Sequence, residues 1–184
     1  VPAISVRKKM FEQSRSMFGK LGNQNVTIYS VKNNHGIGFA VVDYGATLMS
    51  VTTPDKAGIV ENITLNYTTL KEMIENHGAY YGCIAGRVAN RIAKGKFTVD
   101  GKEYVVAVNN GENHLHGGLK GFDQNLWSGK FFTNELAETS GVELKYTSVD
   151  GEEGYPGNVR VTVRYELTSD SKLVVTYHAI ADAA

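Results

Sequence analysis

Cysteine and net charge are both scarce in this sequence. Among its 184 residues there is one cysteine, Cys83, so no disulfide closes within the chain and no cysteine-built zinc site forms. Lysine plus arginine, 19, equals aspartate plus glutamate, 19, which leaves a formal net charge of zero. Neither nucleic acid nor a membrane surface is then an expected partner, because both favour a basic excess. No apolar run approaches the roughly 18 residues of a membrane span. The chain starts Val1-Pro2-Ala3, without methionine, and reads as a processed or excised product with no apolar signal segment as it stands. Sequons at Asn25, Asn62 and Asn66 keep secretion open as the alternative to the expected cytoplasmic location.

What is abundant points to strands. Twenty glycines and ten tyrosines, among many valines, suit short strands joined by tight turns. VTIYSV, GFAVVDYGATLMSVTTP, NITLNY, GKFTVDGKEYVVAV, GVELKYTS, GNVRVTVRYELTS and KLVVTYHAI all read as strand. In the sixth, Val159, Val161, Val163, Tyr165 and Leu167 alternate with Arg160, Thr162, Arg164 and Glu166, giving one buried and one wet face. Asp100-Gly101 between two strand runs predicts a hairpin. Only TLKEMIENHG (69–78) reads as helix, with Thr69 as cap, Glu72 three residues on and Gly78 as its stop. Residues 5–18 fit a short helix or an exposed lead-in strand. The expectation is a single all-β domain over 1–184, an antiparallel sandwich rather than a closed barrel, behind a lead-in segment 1–19.

Four segments break the strand pattern. In GCIAGRVANRIAKGKF (82–97), Arg87 and Arg91 stand four apart among apolar residues, where an unpaired guanidinium is costly. They either bond nearby carbonyls and carboxylates or, with an Asn amide, reach a polyhydroxylated or anionic ligand. In NNGENHLHGG (109–118), an extended backbone would put the rings of His114 and His116 on one side. No third and fourth metal ligand is evident, so no metal is expected. The rings then either bond backbone groups in turns or supply one ligand donor or acid–base group. In KGFDQNLW (120–127), Trp127 is a core residue or a platform for a sugar face. In SVDGEEGYPGNV (148–159), Asp150, Glu152 and Glu153 read most simply as solvated turn acids; neighbours on one loop seldom face each other across a glycosidic bond. His35, His77 and His178 read as structural.

In order along the chain, GRVANRIAKGKFTVDGKEY, NHLHGGLKGFDQNLW and DGEEGYPG resemble the aldose 1-epimerase (galactose mutarotase) family. DYGATLMSVTTPDKAG and LNYTTLKEMIENHGAYYG fit the same family, so the resemblance runs from about residue 20 to the C-terminus. It implies a large antiparallel β-sandwich with a sugar site in an open cleft. It implies interconversion of the α and β anomers of galactose or glucose, with neither cofactor nor metal. In such chemistry a glutamate takes the proton of the anomeric hydroxyl and a histidine gives one to the ring oxygen. Asn90 and Arg91 match sugar-hydroxyl contacts. His116 matches the first active-site histidine, which makes it both a catalytic and a substrate-binding candidate; His114 falls on a position that need not be histidine.

Two departures accompany the resemblance. Where the family carries Ser-Pro-Asp-Gly, this chain has Ser148-Val149-Asp150-Gly151. The chain also stops at Ala184, before the positions of the family's second histidine, its sugar-binding aspartate and its glutamate base. A sandwich truncated at its C-terminus is therefore expected, inactive alone, binding a hexose, and open to pairing with a missing C-terminal half or another chain. The rival is a non-catalytic carbohydrate-binding module, separable by the length of the encoding reading frame. A relative acting on sugar phosphates would want extra basic residues around the cleft, and none is conspicuous.

Overall fold

A computed structural model describes residues 10–183. Two antiparallel sheets carry the chain. The first has five strands in sequence order: β1 (Phe11–Leu21), β2 (Gln24–Asn33), β3 (Gly38–Val42), β4 (Thr47–Pro54) and β5 (Val60–Asn62). Between the sheets come helix α1 (Leu70–Glu75) and the short strands β6 (Arg91–Ile92), β7 (Lys96–Val99), β8 (Lys102–Val105) and β9 (His114–Leu115). The second sheet has four strands, β10 (Ser128–Asn134), β11 (Thr139–Ser148), β12 (Val159–Thr168) and β13 (Leu173–Ala181), also in sequence order. The expected all-β sandwich is what forms.

The alternation along β12 sets the core. Val161, Val163, Tyr165 and Leu167 are buried, and their neighbours Arg160, Thr162, Arg164 and Glu166 are not. They meet Tyr29, Val31, Phe39 and Val41 of the first sheet, with Val142 and Leu144 of β11 beside them. A fully buried side chain of this size contributes about 1.5–3 kcal/mol. The phenol of Tyr165 donates to the Ala46 carbonyl at 2.8 Å and that of Tyr29 to the Gly129 carbonyl at 3.1 Å, which joins the two layers. A second cluster on the far face of the first sheet packs Val26, Val42 and Met49 against Tyr67 and against Leu70 and Met73 of α1.

Several expectations change in detail. Residues 11–21 are a full strand paired with β2, so sheet structure begins inside the expected lead-in, while its residues 1–9 lie outside the described residues. NITLNY is strand only at its first residue. The Asn62 carboxamide accepts from the amides of Val51 and Thr64, both at 3.1 Å, and this local bonding competes with a ladder. The segment SGKFFTN, without clean alternation, becomes β10. The hairpin at Asp100-Gly101 forms with positive φ at both residues, 49° and 77°. The helix cap also forms, Thr69 Oγ1 accepting from the Glu72 amide at 3.1 Å. Its stop differs. Asn76 ends α1, a 3₁₀ turn follows over His77–Ala79, and the left-handed residue is Tyr80 (φ 54°), not Gly78. The Tyr80 amide bonds the His77 carbonyl at 3.0 Å, so the extra turn moves the reversal two residues on.

Candidate functional site

Strands β6 and β9 form a two-residue ladder, Arg91 opposite Leu115 and Ile92 opposite His114. That ladder brings the VANRI and HLHGG segments together, as the sequence resemblance implied. The link continues one residue outward. The His116 amide donates to the Asn90 carbonyl at 3.0 Å, and the Asn90 amide donates to Nδ1 of the His116 ring, also at 3.0 Å. Both residues take left-handed backbone, φ 63° and 50°. A backbone N–H can only donate, so Nδ1 is an acceptor, and the neutral ring carries its proton on Nε2. His116 thus keeps one N–H donor, on Nε2, that has no partner among the described residues, on a half-buried ring.

Arg91 lies beside it on the surface. Its Nε donates to Asn110 Oδ1 at 3.0 Å and its Nη1 to Asn90 Oδ1 at 3.2 Å. Two neutral acceptors orient the fork, and three of its five N–H groups have no partner among the described residues. Asn90 accepts with its oxygen, which leaves its amide nitrogen as a donor. Asn90, Arg91 and His116 therefore form one exposed cluster rich in donors, suited to hydroxyl and ether oxygens.

The neighbouring residues of the same types are committed elsewhere. His114 is fully buried. Its Nδ1 lies 2.8 Å from the Ala107 carbonyl, which accepts, and its Nε2 lies 2.6 Å from the Tyr155 hydroxyl, which donates. The condition for both histidine rings to share one side, an extended backbone through both, is not met. The extended backbone ends at Leu115, and the positive φ of His116 turns the chain before a second side chain can align. Arg87 donates to Ser148 Oγ and to the carbonyls of Ser148, Val149, Pro156 and Gly157 at 2.7–3.1 Å. It clamps residues 82–92 to the 148–157 loop. Desolvation lowers its pKa, opposed by Glu152 and Asp150.

The loop acids are more than solvated turn residues: Asp150 is exposed, Glu152 and Glu153 are half-buried, and all three accept hydrogen bonds. Glu152 accepts from the hydroxyls of Tyr146 and Ser148, and Asp150 accepts from the Gly157 amide. Glu153 accepts from two successive amides, Leu119 at 2.8 Å and Lys120 at 3.0 Å, and so braces the segment just after His116. Two glycines make that segment possible. Gly117 (φ 93°) and Gly118 (φ 109°) hold conformations that an L side chain rarely adopts, and a Cβ at Gly117 would sit 1.6 Å from the Gly86 carbonyl oxygen.

Behind His116 lie residues that sequence reasoning passed over. The Tyr80 ring packs against the His116 ring, centroids 4.5 Å apart and planes at 56°. Asp123, its side chain 4% exposed, faces His77 Nδ1 at 3.9 Å, and its Oδ2 has no hydrogen-bond partner among the described residues. Burial raises its pKa; its own amide, then His77, Gln124 and His116, pull the other way. Its only sequence signal was a carboxylate inside GFDQNLW beside two glycine-rich turns. Trp127 is core, 2% exposed, donating from Nε1 to the Phe122 carbonyl at 3.1 Å, so it offers no face to a sugar. Cys83 is buried enough to push its thiol to about 12, which makes it unreactive. His178 is on β13 opposite Thr162, exposed and in the second sheet, not in this cluster. No group of three or more His, Cys, Asp or Glu able to hold a metal ion occurs among the described residues, and none of their helices is long and apolar enough to cross a membrane.

Comparison with known proteins gives a consistent result. A family model described as aldose 1-epimerase matches residues 27–184. The galactose mutarotase of Sus scrofa is 41% identical over 174 residues, 94% of this chain and 48% of that protein. The galactose mutarotase of Bos taurus is 40% identical over the same shares. Among solved structures, the galactose 1-epimerase of Lactobacillus acidophilus superposes with a TM-score of 0.82 at 27% identity, covering 94% of this chain and 49% of that one. The chain spans about half the length of the curated relatives it matches.

Proposed function

The chain belongs to the aldose 1-epimerase family, and from that premise we propose that it carries part of the sugar site of a mutarotase, an enzyme interconverting the α and β anomers of galactose or glucose. Asn90, Arg91 and His116 are its substrate-binding residues. His116, touching the ring oxygen, is also its catalytic residue. The observation that carries this is the bond from the Asn90 amide to His116 Nδ1. It leaves His116 as an N–H donor, and a sugar ring oxygen can only accept. As the ring opens, charge grows on that oxygen, and a donor already aimed at it stabilises the transition state most.

Mutarotation also needs a proton taken from the anomeric hydroxyl and one delivered to the ring oxygen. One imidazole whose second nitrogen is occupied cannot serve both atoms. Asp123 is buried behind His116, and Glu153 is committed to two amides. As the family resemblance implies, the acid and base come in this reading from beyond residue 184, from the rest of a family-length fold or from another chain. Strand β13 is the open edge through which such a partner can pair, with Val174, Tyr177 and Ile180 exposed along it.

Polarimetry of freshly dissolved α-D-galactose tests this. The 184-residue chain alone should not exceed the buffer rate. Joined to the remaining half of a family member it should reach enzyme-like turnover. Turnover by the isolated chain, abolished by His116→Ala, would refute the division of roles. If the joined chain stays inactive while D-galactose still binds through Arg91 and His116, the carbohydrate-binding module is the better description.

A further inference from the structure

We propose that Tyr80 is a positioning residue for His116, its aromatic ring holding the imidazole in the orientation that keeps the Nε2 proton facing the sugar. The inference rests on the reading of His116 as a sugar ligand and adds to it a residue outside the matched contacts.

Three observations carry it. The first is contact: the two ring centroids stand 4.5 Å apart with a tilt of 56°, a geometry in which one ring limits rotation of the other. The second is backbone. Tyr80 is left-handed (φ 54°), a conformation that is uncommon for a bulky residue and costs energy. Gly78 and Gly82 flank it, so the turn holds glycines on both sides and yet an aromatic at its strained position. Strain of this kind persists where surrounding contacts over-determine it, and the contact here is with His116. The third is chemistry. The Tyr80 hydroxyl makes no hydrogen bond among the described residues, so the ring is the part in use.

The Asn90 amide alone is an incomplete restraint. It fixes which nitrogen accepts, but a free imidazole can turn about its Cβ–Cγ bond and exchange Nδ1 for the ring carbon opposite. Packed against Tyr80, the ring loses that motion. The ring orientation then comes from two segments, the Asn90 loop and the turn after α1.

The experiment reads the ring itself. In chain labelled with ¹⁵N-histidine, at a pH where the imidazole is neutral, the His116 signals are identified by their loss in His116→Ala. They should show a single tautomer protonated on Nε2, and Tyr80→Phe should keep that pattern. Tyr80→Ala and Tyr80→Leu should give averaged ring nitrogens and bind D-galactose roughly three- to tenfold more weakly, the range expected for losing one aromatic pair. Tyr80→Leu preserves apolar bulk and decides the matter if the alanine variant does not fold. A fixed Nε2–H pattern in folded Tyr80→Leu overturns the proposal. Should the parent chain bind no sugar at all, the proposed function fails while the ring signals still decide the role of Tyr80.

Discussion

Two histidines two positions apart, and two arginines four apart, meet opposite fates in this molecule. His114 and Arg87 face inward, and every polar atom they present there is engaged: a carbonyl and a phenol for the histidine, four carbonyls and a hydroxyl for the arginine. His116 and Arg91 face outward, each held by one or two bonds to asparagine and each with donors to spare. Residue type is the same in the two regions. What separates them is saturation. A polar group whose hydrogen-bonding capacity is filled inside the protein holds the fold together, whereas one that is oriented but unfilled is available to a ligand.

The sharpest way to break the comparison is in rate. In a chain completed to the length of its relatives, His116→Ala should slow anomer interconversion by ~10²–10³, the typical loss for one preorganised donor. His114→Ala, corrected for folded fraction, should leave the rate nearly unchanged. Equal losses would mean that saturation does not distinguish the two rings.

Next in size is stability. Arg87→Met removes the donor from four carbonyls in the 148–157 loop, most of them partly buried, and should cost about 2 kcal/mol in denaturant unfolding, because acceptors shielded from water without donors carry a desolvation penalty. Arg91→Met should stay within about 0.5 kcal/mol, as surface changes do, while weakening binding of D-galactose. A destabilisation by Arg91→Met as large as that of Arg87→Met would erase the division between clamp and rim.

The smallest effect is a control from outside both regions. Burial raises the Asp43 carboxyl to about 6, against the pull of the Thr27 amide. Its folded value lies above its unfolded one of about 3.9, so its stabilising share is complete below about pH 4 and is lost as pH rises through 6. The thermal midpoint should therefore fall as pH rises across that window. Asp43→Asn, which can still accept from Thr27, should remove the Asp43 share of the fall. An unchanged pH profile in the asparagine variant would assign it to other groups.

Much of this was legible from residues alone. The alternation in β12 named its buried face, Asp100-Gly101 named a hairpin, and the ordered motifs named a family. The misses share a cause. Gly78 looked like the helix stop because glycine tolerates left-handed backbone, but the extra 3₁₀ turn put that conformation on Tyr80. The loop acids read as plain solvated residues, but Glu152 and Asp150 bond within or beside their own loop and Glu153 reaches Leu119 and Lys120, 34 and 33 residues away. Tyr80 gave no sign and Asp123 only a faint one, since their partners are distant in sequence.

By itself, then, the order of residues determined what is local or periodic: strand faces, a hairpin, a helix cap, and the glycines that let His116 turn outward. Only the tertiary structure decided which of two identical side chains is spent on the fold. That choice depends on whether a carbonyl or a hydroxyl from another segment arrives within about 3 Å, the reach of a hydrogen bond. Such arrivals are set by how the two sheets and the loops between them pack, and no local pattern encodes them.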